Sequence, residues 1–364
     1  MNRKQFLSGL AALGAAPGLL HSAGKPAVAG ATKTKGHQRL PLKRLKFWQS
    51  LQYGMFLHFG MSTYDGKELS TGKSDISLYN PARLDVDSWV QVARDAGMKY
   101  AVLTTKHVAG HCLWPSRHTD YTVANSPVRT DVVEKFVRAC GKYGVLPGLY
   151  YCSWDNRHLF HSATPSTAPR APNYDWTFPR PGSDVDYAYT TSQYQSFQTA
   201  QITELLTQYG EILEVWIDIP FVLGEGYRTF LYHRIAELQP DAVIMMNTGF
   251  GDGSKFENQK LSYAWPTDLI AIERDRPPAA GHQPWRSIGG KNYYLPAEHC
   301  DPIGKEWFYA EGDQPRSDEA LLEQFNQCRE RNANFLLDVG PDQDGLIPEA
   351  VKKALMRLRK NAGL

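Results

Sequence analysis

Neither charge sign is in surplus: 40 Lys and Arg stand against 38 Asp and Glu, a formal net charge of +2. A nucleic-acid binder relies on a basic face, and no run of Lys or Arg follows the first 46 residues, which argues against that class. Cysteine is scarce and spaced for neither metal nor staples: five, at positions 112, 140, 152, 300 and 328, with no CxxC pair. Neither a zinc site nor a disulfide framework is indicated, and these thiols read as small buried hydrophobes. No GxGxxG follows the first strand-like segment, so a dinucleotide fold is disfavoured, and no repeat of solenoid length is present. Beyond the N-terminal segment no stretch reaches the ~18 apolar residues a membrane span requires.

That N-terminal segment is distinctive. Arg3 and Lys4 precede an apolar run from Phe6 to Leu20, and small residues follow, including Ala27-Val28-Ala29. This is the shape of an export signal with a twin-arginine-like start, so residues 1–35 are set aside from the fold, with a periplasmic or secreted location expected. Residues 36–364 remain as one expected domain. Aromatic residues make up 12% of the chain, which suits sugar binding, since pyranose faces stack on rings, and suits a packed core equally well.

From about Leu40 short apolar runs alternate with helical patterns. Strands are expected at 54–58, 100–105, 145–151, 214–218, 242–246, 269–272 and 334–338, with another somewhere in the unclear stretch 274–310. Asp87 is expected to cap a helix carrying Trp89, Val92, Ala93 and Ala96; Asp131 and Ser317 are expected to cap two others. Residues 152–190 read as a long loop, a length usually reserved for functional segments. Continuous apolar strands alternating with helices mean parallel β structure covered by helices, and seven or eight such units point to an α/β (β/α)8 barrel.

In such barrels reacting groups sit at strand ends. Those positions hold His58, Lys106-His107, Tyr150-Tyr151, Trp216 with Asp218, Asn247, Glu273 and Asp338. Two carboxylates suffice for glycoside hydrolysis, one ionised to attack the anomeric carbon and one protonated to assist the leaving oxygen. Asp218 and Glu273 are far apart in sequence, so only the barrel could bring them together. Each taken alone reads as well as a capping or salt-bridged residue, and Glu273 next to Arg274 is an obvious candidate for the latter. His58 alone reads as a core histidine. His107 and His111 flank Gly110 after a strand and so do not form a helical metal pair, and Asp338 could simply organise a turn.

Taken in order, however, these segments resemble the α-L-fucosidases of glycoside hydrolase family 29, from about Phe47 to Gly345. The family's FGxFxHWG is matched by Tyr53-Gly-Met-Phe-Leu-His-Phe-Gly60, and its LTxKHHDGFxLW by Leu103 through Trp114. Its Arg-Asp-Val-Val and Gly-Leu-Tyr-Tyr segments correspond to Arg129 to Val133 and Gly144 to Tyr151, and its Trp-Phe-Asp strand to Trp216-Ile-Asp218. Its last strand motif is matched by Asn334 to Pro348. The resemblance implies a retaining exo-glycosidase that releases terminal α-linked L-fucose from glycans or polysaccharides through a covalent glycosyl-enzyme. Asp218 would be the nucleophile. Glu273, in Asp268-Leu-Ile-Ala-Ile-Glu273, would be the acid/base, with Glu298, in Ala297-Glu-His-Cys300, as the alternative. His58 and His107 would hold sugar hydroxyls together with Glu68, while Tyr151 and Trp216 would shape the pocket. Trp307 or Phe308 would stack on the sugar's apolar face. No metal or organic cofactor is implied.

This chain departs from the family pattern at several substrate contacts. The second His and the Asp of KHHDG are Val108 and Ala109; the Arg after the fifth strand is missing, leaving Asn247 as the polar group there; the Trp after the pocket Glu is Leu69; and the Gly after the nucleophile is Ile219-Pro220. Sites built to hydrogen-bond particular hydroxyls discriminate strongly, so altered specificity is expected, with α-L-galactosidase activity or an inert carbohydrate-binding protein as alternatives. The C-terminal β-sandwich of many family members is also expected to be absent.

Overall fold

The structure is a computed structural model. It describes residues 36–158, 191–247, 264–274 and 277–364, and the fold is that of the unit His37–Leu364. The expected export segment lies outside the described residues, as does most of the expected loop 152–190. Eight parallel strands form a nearly closed barrel: β1 (Tyr53–Leu57), β2 (Tyr100–Lys106), β3 (Leu146–Cys152), β4 (Glu214–Asp218), β5 (Val243–Met246), β6 (Ile270–Glu273), β9 (Ala297–Pro302) and β10 (Ala333–Asp338). Their order around it is β5-β4-β3-β2-β1-β10-β9-β6. The stretch unclear in sequence holds both an antiparallel hairpin, β7 (Trp285–Ile288) with β8 (Lys291–Tyr294), and the barrel strand β9. Among the described residues no helix is long and apolar enough to cross a membrane.

Helices cover the strands because their apolar stripes need burial. The helix Val132–Tyr143 buries Val132, Val133, Phe136, Ala139 and Cys140, begins where Asp131 accepts the Glu134 N–H, and stops at left-handed Gly144. Ser317 caps the helix Asp318–Glu330 in the same way. The cap of Val86–Asp95 is Asp85 and not the expected Asp87, which sits in the first turn and instead receives Lys142 and Tyr143 from the neighbouring helix.

Between β5 and β6 side chains complete the wall. Asp268 Oδ2 accepts from the Ile244 N–H at 3.0 Å, Thr267 Oγ1 accepts from the Met246 N–H at 3.1 Å, and the Asp268 N–H donates to the Ile244 carbonyl at 2.8 Å. Arg39 and Tyr232 hold the same Asp268 carboxylate, each at 2.6 Å. Inside, inward residues stack in layers. Gly54 is required here, because a Cβ on it would meet the Tyr100 ring at 2.5 Å.

Candidate active site

Strand alternation decides which side chains reach the barrel interior. On β4 the interior face carries Glu214, Trp216 and Asp218 from floor to mouth, and the paired β3 presents Gly148, Tyr150 and Cys152. At the mouth Asp218 is held by three donors. Tyr150 Oη donates to its Oδ2 at 2.6 Å, while Asn247 Nδ2 and its own neighbour's N–H, from Ile219, donate to Oδ1 at 2.7 and 2.9 Å. Ile219 supplies that N–H from a left-handed backbone, φ 51°. A β-branched residue there carries roughly 1–2 kcal/mol of strain, of the kind that collects at working sites.

Asn247 also donates from the same nitrogen to Glu273 Oε1 at 2.6 Å. The two bonds laid end to end cap the separation of Asp218 Oδ1 and Glu273 Oε1 at about 5.3 Å. Residues 55 positions apart in sequence are thereby brought together through one amide. Burial, and then the Asp218 charge, push the Glu273 carboxyl up to about 7, so it keeps a proton near neutrality.

Glu273 and Arg274, adjacent in sequence and a candidate salt bridge there, form no ion pair. Arg274 takes a left-handed φ of 66°, donates to the Lys305 carbonyl at 2.7 Å, covers the Trp307 ring at 5.0 Å and approaches Glu68 at 3.7 Å. Glu68 therefore stands at the same mouth, its carboxyl raised to about 7 mainly by burial.

His58 and His107 line the mouth beside these acids. His58 Nδ1 is committed to Asp338 Oδ1 at 2.7 Å, which leaves Nε2 for a ligand. Burial disfavours charge on both partners, lowering the His58 pKa to about 3 and raising that of Asp338. His107 stacks on Tyr150 with centroids 5.7 Å apart. Trp307 and Phe308 pack on His58, each at 5.2 Å, so both rings reach the same hollow. Val108 and Ala109, at positions polar in the resembled family, are buried among apolar side chains.

Two residues named from sequence lie elsewhere. Tyr151 points away from the barrel: its hydroxyl donates to Gln201 on the covering helix Ser192–Gln208 at 2.8 Å, and its ring receives the Lys106 ammonium at 4.3 Å. A break in register between Thr104 and Lys106 turns that lysine to the same side, where it pairs with buried Asp155 at 2.7 Å. The pocket tyrosine is Tyr150, and the period of two along β3, anchored on Gly148, is the signal that marks it. Glu298 is the second residue of β9 and lies deep in the barrel, its oxygens taking Trp216 Nε1 at 3.0 Å and Tyr100 Oη at 2.6 Å. It is 1% exposed, whereas Asp218, Glu273 and Glu68 at the mouth are only partly buried. Asp338 does more than organise a turn: its bond to His58 places it in the site.

Comparison with known proteins follows the same line. A family model described as alpha-L-fucosidase matches residues 70–360. Alpha-L-fucosidase 1 of Arabidopsis thaliana is 33% identical over 329 residues, covering 87% of this chain and 59% of that protein. Alpha-L-fucosidase isoenzyme 1 from Paenibacillus thiaminolyticus superposes with a TM-score of 0.67 at 27% identity, over 87% of this chain and 75% of that one. A glycoside hydrolase 29 family member from an unknown rumen bacterium gives 0.65 at 25% identity, over 88% and 56%. The chain spans somewhat more than half the length of the curated relatives it matches first, 59% and 54%. With ordered motifs, barrel and family model in agreement, the chain belongs to the alpha-L-fucosidase family.

Proposed function

We propose that the protein is an exo-acting glycoside hydrolase that removes terminal α-linked L-fucose with retention of configuration. The observation that carries this reading is the Asn247 bridge. Retaining enzymes place their two carboxyl groups about 5–5.5 Å apart and inverting ones about 6.5–9.5 Å, and the cap of about 5.3 Å falls below the inverting range.

In this reading Asp218 attacks C1 of the fucosyl unit as Glu273 passes its proton to the departing glycosidic oxygen. An ester forms and the C1–O bond breaks. Esterification removes the Asp218 charge, which is one of the causes holding the Glu273 pKa up. Glu273, having given up its proton, then stays ionised as the general base, takes a proton from water as that water attacks C1, and Asp218 leaves as a carboxylate. His58 through Nε2, His107 and Glu68 would hold hydroxyls, with Trp216 as the pocket wall and Trp307 or Phe308 as the stacking ring. Residues 36–364 would form the catalytic domain, and residues 1–35 would direct export to the periplasm or exterior.

The test is proton NMR of an aryl α-L-fucoside during hydrolysis. The first-formed sugar is expected to be the α anomer, with β appearing only by mutarotation. Initial β product would overturn retention, and no sugar release at all would overturn the activity.

A further inference from the structure

Beneath the mouth lies a pair of acids that the reaction above does not use. Glu298 and Glu214 are 1% and 0% exposed, and among the described residues no Lys, Arg or His forms an ion pair with either. Glu214 Oε2 accepts from Trp48 Nε1 at 3.0 Å. Glu298 spends both oxygens as acceptors, from Trp216 Nε1 at 3.0 Å and Tyr100 Oη at 2.6 Å. Buried carboxyls without a cation are costly, and an apolar residue would fill this layer more cheaply.

Their placement suggests what the cost achieves. Trp216 lies against Tyr150, rings nearly parallel at 25° with centroids 5.4 Å apart, and Phe56 closes in at 5.3 Å. Apolar packing alone distinguishes poorly between the two faces of an indole flipped about its ring axis. A fixed acceptor for the indole N–H does distinguish them. Tyr150, resting on that indole and on His107, donates to Asp218 Oδ2 at 2.6 Å.

We infer that Glu298 is a positioning residue for Asp218: it fixes the Trp216 indole, which seats the Tyr150 ring, which aims a hydroxyl at the carboxylate above. The catalytic part of the inference rests on the function proposed above; the geometric part does not. Glu298 touches no substrate in this arrangement, and the role differs from that of an acid/base. A glutamine retains an oxygen for Trp216 and can turn its amide toward the Tyr100 oxygen, whereas leucine loses both contacts.

The experiment combines E298Q, E298L, Y150F and the E298L/Y150F double variant. Two readouts are needed: kcat and KM on an aryl α-L-fucoside, and the Asp218 pKa from 13C-aspartate NMR, with D218N assigning the signal. E298L and Y150F should each lower kcat by ~10²-fold, the effect of losing one well-placed donor, with KM little changed. The double variant should fall no further than the worse single, because both changes act on one chain of contacts. E298Q should recover most of the loss. The Asp218 pKa should rise equally in E298L and Y150F, since a carboxylate that loses a donor is easier to protonate. If E298L does not fold, W216F removes the same N–H contact while keeping a ring, and the same rise is expected. Multiplicative losses in the double variant, or an unmoved Asp218 titration in folded E298L or W216F, would overturn the inference. A wild type without turnover whose Asp218 titration still shifts would refute the proposed activity and leave the positioning role standing.

Discussion

Replacing Asp218 with glycine is expected to lower kcat on an aryl α-L-fucoside by at least ~10⁴-fold, the scale on which enzymes lose rate when their nucleophile is deleted. The side chain is held by Tyr150, Asn247 and the Ile219 N–H, so its attacking group is oriented before substrate arrives. No neighbour can replace it: Glu273 stands across the site with a raised pKa, and Glu68 is engaged toward Arg274. Added azide should restore part of the rate in D218G and yield the β-azide, because the anion enters from the face the aspartate vacated. Circular dichroism and thermal unfolding would show whether the barrel survives. A folded D218G within tenfold of wild type would remove Asp218 from the mechanism.

For Glu273→Ala the expected result depends on the leaving group. With alkyl or sugar aglycones, which need a proton, the rate should fall by ~10²–10⁴-fold; with activated aryl leaving groups the first step should be nearly preserved. Azide should accelerate the second step and give the α-azide, since an anion needs no general base. The pH profile supplies an independent reading. Glu273 acts protonated and its pKa lies at about 7, so kcat/KM for wild type should decline as pH rises through about 7, a limb that E273A should lose. If the leaving-group dependence and azide rescue appeared instead in Glu68→Ala or Glu298→Ala, the acid/base assignment would move to that residue.

The barrel was legible in the sequence where its strands are apolar runs between helical stripes, as at Tyr100–Lys106 or Glu214–Asp218. Strand β9 was not, and its residues explain why. It reads Ala-Glu-His-Cys-Asp-Pro, polar on both faces, because Glu298 faces the interior acids while His299 and Asp301 are matched outside by Gln324, at 2.8 and 2.6 Å, with Arg316 also on Asp301. Buried polar pairs erase the hydrophobic pattern on which sequence reading depends. Asp85 and Asp87 are equally good capping residues in sequence, and only the start of the helix separates them.

The site was legible by type more than by contact. Asp218, Glu273, His58, His107 and Asn247 all come to the mouth. Tyr150 and Tyr151 are chemically identical neighbours, and strand parity alone sends one to Asp218 and the other to the outer helix. Nothing in the local sequence of Arg274 shows that its left-handed backbone carries it past Glu273 toward Glu68 and Trp307. The Asn247 bridge depends on the closure of the β5–β6 seam by Thr267 and Asp268, a tertiary event with no short-range signature.

Mass spectrometry of the protein after incubation with a 2-deoxy-2-fluoro-L-fucosyl fluoride tests the covalent step itself. Fluorine beside C1 slows both steps, and the good leaving group lets the ester build up. One fluorofucosyl unit per chain is expected, mapped to the peptide bearing Asp218 and absent from D218G. An active wild type that stays unlabelled, or a label on any other carboxylate, would contradict the assignment of Asp218 as the nucleophile.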